Sequence, residues 1–109
     1  MMIDRIDASA YEYATQEDRS APRTAVIVSA KLRPSGGRSL STVVRDVSLS
    51  GFSAVAISRL SRGTHCWLTL PNYMVLKASV VWWEQGRVGC AFEKLLDQSA
   101  LDAIVAESQ

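Results

Sequence analysis

A chain of 109 residues has room for one hydrophobic core and not for two, so whatever it does must fit on a single small scaffold. Hydrophobic residues make up 48% and charged residues 21%, which excludes a disordered or fibrous class. The formal net charge of +1 conceals a division: residues 1–18 hold five acids and one base, residues 19–62 hold eight bases against one acid, Asp46.

The first 18 residues lack a clear period and read as an acidic, partly mobile arm. Asp4, Arg5 and Asp7 stand where a secretory signal needs a basic start and an uninterrupted apolar run, so export is not expected. No apolar run approaches the roughly 20 residues that span a bilayer, so no membrane insertion is expected either. From Arg23 onward the pattern has a period near two. It predicts strands near 23–33, 38–46, 51–57, 64–70, 74–84 and 87–93. The separators "PSGG" at 34–37, "SLSG" at 48–51, "PNY" at 71–73 and "QG" at 85–86 are turn signals. Cys66 and Cys90 fall inside apolar strand-like runs without CxxC spacing, and are expected to be buried free thiols in a reducing, cytoplasmic setting. On the fifth strand, Leu76, Ala78, Val80 and Trp82 would share one apolar face with Trp82 in the core, leaving Trp83 on the other face, under the C-terminal helix or open to a partner. After Phe92, Asp97 offers an N-cap and Leu101, Ile104 and Val105 recur at helical spacing. The fold class expected is all-β: a small six-stranded antiparallel β-barrel, closed because closure removes exposed edges, with a C-terminal α-helix.

Two motifs carry chemistry. Arg19 and Arg23 form R-x-x-x-R just before the first strand. Asp46, Ser48 and Gly51 form D-x-S-x-x-G where the second strand ends. On an extended segment positions 46 and 48 share a face, so a carboxylate and a hydroxyl would project together, and Gly51 would permit a sharp turn or a close ligand approach. The alternative is a plain Ser or Asx turn closing a corner.

With both motifs in this order, and with "VVWW" followed by "VGCAF", where Gly89 and Phe92 match a G-x-x-F, residues 17 to 105 resemble the PilZ domain family, bacterial receptors for cyclic di-GMP. The resemblance implies a PilZ domain over 17–109 behind an arm of residues 1–16. It implies a ligand lying between the arginine loop and the second motif, with Arg19, Arg23, Asp46, Ser48 and Gly51 as binding residues, no cofactor and no catalysis. An arginine fork grips a phosphate or the O6/N7 edge of guanine, and a carboxylate accepts from guanine N1 and N2. Many members carry a basic residue directly before the first arginine; Asp18 stands there, which favours one ligand per chain over two. The function expected is a cyclic di-GMP receptor or adaptor of the second-messenger type. Ligand would order its arginine loop and the signal would pass to an effector protein, with the chain a monomer or weak dimer.

Other readings are weaker. A ligand-independent PilZ-like interaction domain is the main alternative. A single-stranded nucleic-acid binder needs stacking aromatics, and residues 19–62 hold only Phe52, so no DNA or RNA partner is expected. Ser48, His65 and Asp46 could be written as a catalytic triad, but no nucleophile elbow accompanies them. One histidine and two separated cysteines make a poor zinc site. Arg59 and Arg62, on the loop after the third strand, read as solvated charges.

Overall fold

The structure, a computed structural model, describes residues 22–108. The strands are β1 (Thr24–Pro34), β2 (Leu40–Val47), β3 (Gly51–Val55), β4 (His65–Thr69), β5 (Val75–Glu84) and β6 (Arg87–Phe92), followed by a helix, α1 (Gln98–Glu107). Every pairing is antiparallel. The order β1-β2-β3-β6-β5-β4 returns to β1 and closes the barrel. Arg19 and the acidic segment 1–16 lie outside the described residues.

β1 shows why the sequence takes this form. Val26, Val28, Ala30 and Leu32 point inward and are buried, while Ala25, Ile27, Ser29 and Lys31 alternate outward. Buried side chains from all six strands fill the interior, where Phe52 and Phe92 pack with ring centroids 5.5 Å apart. Gln85 and Gly86, at φ 50° and 81°, form the two-residue turn whose left-handed backbone matches the twist of β5 and β6. Cys66 on β4 and Cys90 on β6 are buried free thiols with their Sγ atoms 3.9 Å apart. The neighbouring Cys66 sulfur, together with burial, pushes the Cys90 thiol up from its usual value.

The expected faces of β5 are exchanged at its end. The register of β5 against β6 shifts between Val80 and Trp82, so that Val80 opposes Cys90 and Trp82 opposes Gly89. A bulge of one residue at Val81 reverses every face beyond it. Trp82 therefore lies outside, 36% exposed. Trp83 turns inward against the core, donates from Nε1 to the Ala56 carbonyl at 2.8 Å, and carries the Arg59 guanidinium above its ring. Arg59 is thus a cover for Trp83, not an isolated solvated charge.

Helix α1 begins where Asp97 Oδ1 accepts from the Ala100 amide at 2.8 Å and from the Ser99 hydroxyl at 2.9 Å. Leu101 and Ile104 enter the core, and Ser108 Oγ accepts from the Ile27 amide of β1, so the helix is tied to the barrel at both ends. The same two hydrogen bonds hold the Asp97 carboxyl below the usual aspartate value of 3.8. A carboxyl depressed in the folded state stabilises above its unfolded value and loses that contribution as pH falls through its folded one. Asp97→Ala is expected to lower Tm at neutral pH. Its deficit relative to the wild type should shrink as the pH is taken below 3.8, measured by thermal unfolding followed by circular dichroism at stepped pH.

Candidate functional site

Strict alternation along β2, with Thr42 and Val44 buried, would aim Asp46 into the core. The chain prevents this by a register shift between Val44, opposite Ala54, and Asp46, opposite Ser53. The extra residue, Arg45, turns Asp46 outward and returns Val47 to the interior. An ionised carboxylate in an apolar interior is too costly to tolerate unpaired, so the bulge and the acid belong together.

Asp46 is the centre of a polar cluster. Arg23, one residue before β1, donates from Nη2 to Asp46 Oδ1 at 2.6 Å. Ser53 of β3 donates from Oγ to Asp46 Oδ2 at 2.7 Å. Arg87 of β6 donates from Nη2 to Ser53 Oγ at 2.9 Å and lies 3.6 Å from Asp46 Oδ2. Among the described residues, the Arg87 Nε is buried without a hydrogen-bond partner. The Arg23 and Asp46 side chains are 36% and 25% exposed, and a pair this close to water contributes only about 0–1 kcal/mol.

The register places this cluster in a row across the outer face. Ala25 opposes Asp46, Asp46 opposes Ser53, Ser53 opposes Gly89, and Gly89 opposes Trp82. The Trp82 indole lies directly over Gly89, occupying the space a Cβ there would need. Gly89 is two strands from Asp46, so the ring lies over a point about 10 Å across the sheet from the Asp46 backbone. Carboxylate, hydroxyl, guanidinium groups and an exposed aromatic plane thus share one surface.

Of the residues singled out from the motifs, Arg23 and Asp46 are brought together. Ser48 is not beside Asp46: β2 ends at Val47, and Ser48 turns inward, fully buried. Its Oγ accepts from the Ser50 amide and lies 3.2 Å from the Ser50 hydroxyl, closing the β2–β3 corner. Gly51 serves the same corner. A Cβ there would run into the Cys90 carbonyl, so β3 and β6 approach as closely as they do only because the side chain is missing. No triad is assembled, since Ser48 is buried and His65 lies on β4, two strands from Asp46 around the barrel. Arg87 and Ser53 were missed, because a lone arginine 34 positions from its serine leaves no motif.

A family model described as the PilZ domain matches residues 17–107. Among solved structures, the PilZ domain of CeSA from a cellulose-synthesizing bacterium superposes with a TM-score of 0.57 at 18% identity, covering 77% of this chain and 90% of that one. The Bacillus subtilis inhibitor of motility superposes with a TM-score of 0.56 at 16% identity, covering 81% of this chain. The present chain spans 48% of that protein. No curated protein sequence matches the chain.

The two close-approach glycines are expected to differ in cost. A methyl at Gly51 meets backbone, which cannot step aside, whereas a methyl at Gly89 meets a side-chain ring that can swing away. Gly51→Ala should lower unfolding stability by about 2–3 kcal/mol and Gly89→Ala by about 1 kcal/mol, read from urea denaturation. Gly89→Ala should also shift the tryptophan emission as Trp82 is displaced.

Proposed function

The chain belongs to the PilZ domain family, and on that premise we propose that it is a cyclic di-GMP receptor that passes its signal to another protein. PilZ domains are in general adaptors that bind this dinucleotide. The observation that carries the proposal is the outward carboxylate of Asp46, set between Arg23 and Arg87 in one row with Trp82. A guanine dinucleotide offers two phosphates, guanine acceptors at O6 and N7, donors at N1 and N2, and two flat rings. Each has a counterpart in the row.

Binding is an exchange. The free site is satisfied by the Arg23–Asp46 pair, worth about 0–1 kcal/mol at this exposure, whereas each charged hydrogen bond to the ligand contributes about 1.5–3 kcal/mol. Arg23 turns to a phosphate or a guanine edge, and Asp46 is released to accept from guanine N1 and N2. Arg19 supplies the second guanidinium; four residues of chain reach up to about 14 Å from Arg23, ample to meet a ligand on this face. The exposed Trp82 offers one base a stacking surface. Ser48 and Gly51 act by shaping the corner that holds Asp46 in place.

The output is a changed surface. Clamping Arg19 and Arg23 fixes the segment before β1, and a partner protein reads the difference. The fold shared with an inhibitor of motility supports an output through protein contact. A second reading, a PilZ-like interaction domain without ligand, is favoured by the mutual satisfaction of Arg23 and Asp46.

Calorimetric titration with cyclic di-GMP, beside GTP, separates the two. Selective binding of about one ligand per chain is expected, with Arg19→Ala and Arg23→Ala each weakening it roughly ten- to a hundredfold. Absence of binding at physiological salt would leave the interaction domain. Hydrogen exchange tests the switch: amides 12–22 should gain protection with ligand, and equal protection in both states would refute it.

A further inference from the structure

We infer that Arg87 is the third arginine of the site, a positioning residue that holds Asp46 through Ser53 while Arg23 is engaged by the ligand. This rests on the reading of the site as a cyclic di-GMP site and adds a residue outside both sequence motifs.

The geometry is that of a relay. Ser53 has one hydroxyl proton, and it is committed to Asp46 Oδ2 at 2.7 Å. Arg87 Nη2 fixes that commitment by occupying the acceptor side of the same hydroxyl at 2.9 Å, and remains 3.6 Å from the carboxylate. Ser53 is buried, so water does not compete for its hydroxyl. Arg87 leaves its own Nε donor buried without a partner among the described residues. The contacts that hold its guanidinium are those to Ser53 and Asp46.

The charge balance explains why a second cation is needed. In the free site Asp46 lies between Arg23 and Arg87. When Arg23 turns to a ligand carrying two negative phosphates, Asp46 would otherwise be a bare carboxylate close to a dianion. Like charges repel, and a cation that stays beside the carboxylate offsets that repulsion. Arg87 is the cation that stays. It is anchored on β6 in the barrel wall, opposite Val55 of β3 and Glu84 of β5, whereas Arg23 precedes the first strand. Thus Asp46 keeps both its charge compensation and its aim at the guanine edge throughout the exchange.

The test is a double-mutant cycle read by titration with cyclic di-GMP. Arg87→Met, which keeps the length and removes the charge, is expected to weaken binding about ten- to a hundredfold. Arg87→Lys, which keeps the charge but loses the fixed fork, should fall between it and the wild type. Ser53→Ala should weaken binding several-fold, and the double variant Arg87→Met, Ser53→Ala should be no weaker than Arg87→Met alone, because both act along one relay. Thermal unfolding checks that each variant is folded; should Arg87→Met fail to fold, the pair Arg87→Lys and Ser53→Ala with their double variant completes the cycle. Binding by Arg87→Met within twofold of a wild type that binds would overturn the inference and leave the receptor reading standing. Losses that multiply in the double variant would also overturn it, since Arg87 would then act independently of Ser53. A wild type that binds no cyclic di-GMP would remove the receptor reading and this inference together.

Discussion

In a closed barrel each strand has one face committed to the interior, and the alternation of side chains leaves no freedom about which residues share it. The only local way to change face is to insert a residue. This barrel does so in β2 at Arg45 and in β5 at Val81. The first insertion turns an acid outward and the second turns a tryptophan outward. Between them lie Ser53 and Gly89, so the row of unlike groups on the outer wall follows from these two changes of face; β1 also shifts register against β2 between Ala25 and Val28, beside Asp46, while keeping its own alternation.

This constraint also separates what was legible in the sequence from what was not. β1 could be placed because Val26, Val28, Ala30 and Leu32 alternate with polar or small residues and "PSGG" ends the run. Helix α1 could be placed because Asp97 and the spacing of Leu101 and Ile104 are local signals. A bulge, by contrast, leaves no mark in composition. Counting in twos through Val81 put Trp82 inside and Trp83 outside, and counting in twos from Asp46 put Ser48 beside it when the strand had already ended. The cluster around Asp46 was half legible: Arg23 belongs to a spaced motif, whereas Arg87 and Ser53 meet Asp46 only because β6 pairs with β3 and β3 with β2.

Electrostatics and packing are joined at the same place. Asp46 is the single acid among the bases of residues 19–62, and it is the group on which Arg23 and Arg87 converge. The close approach of Gly51 to β6 and the inward turn of Ser48 hold the corner beside it, so the backbone that carries the carboxylate is fixed there, while Ser53 and Arg87 act on the carboxylate itself.

The two cysteines give the barrel an internal timer. Cys66 and Cys90 face each other in the buried interior, on strands that β5 separates, and the neighbouring Cys66 sulfur together with burial favours the protonated, less reactive form of Cys90. A thiol reagent in solution reaches neither sulfur until strands part. The rate at which it consumes them therefore counts openings of the barrel, and anything that fastens the outer wall from outside is registered, without touching a sulfur, as a slower count.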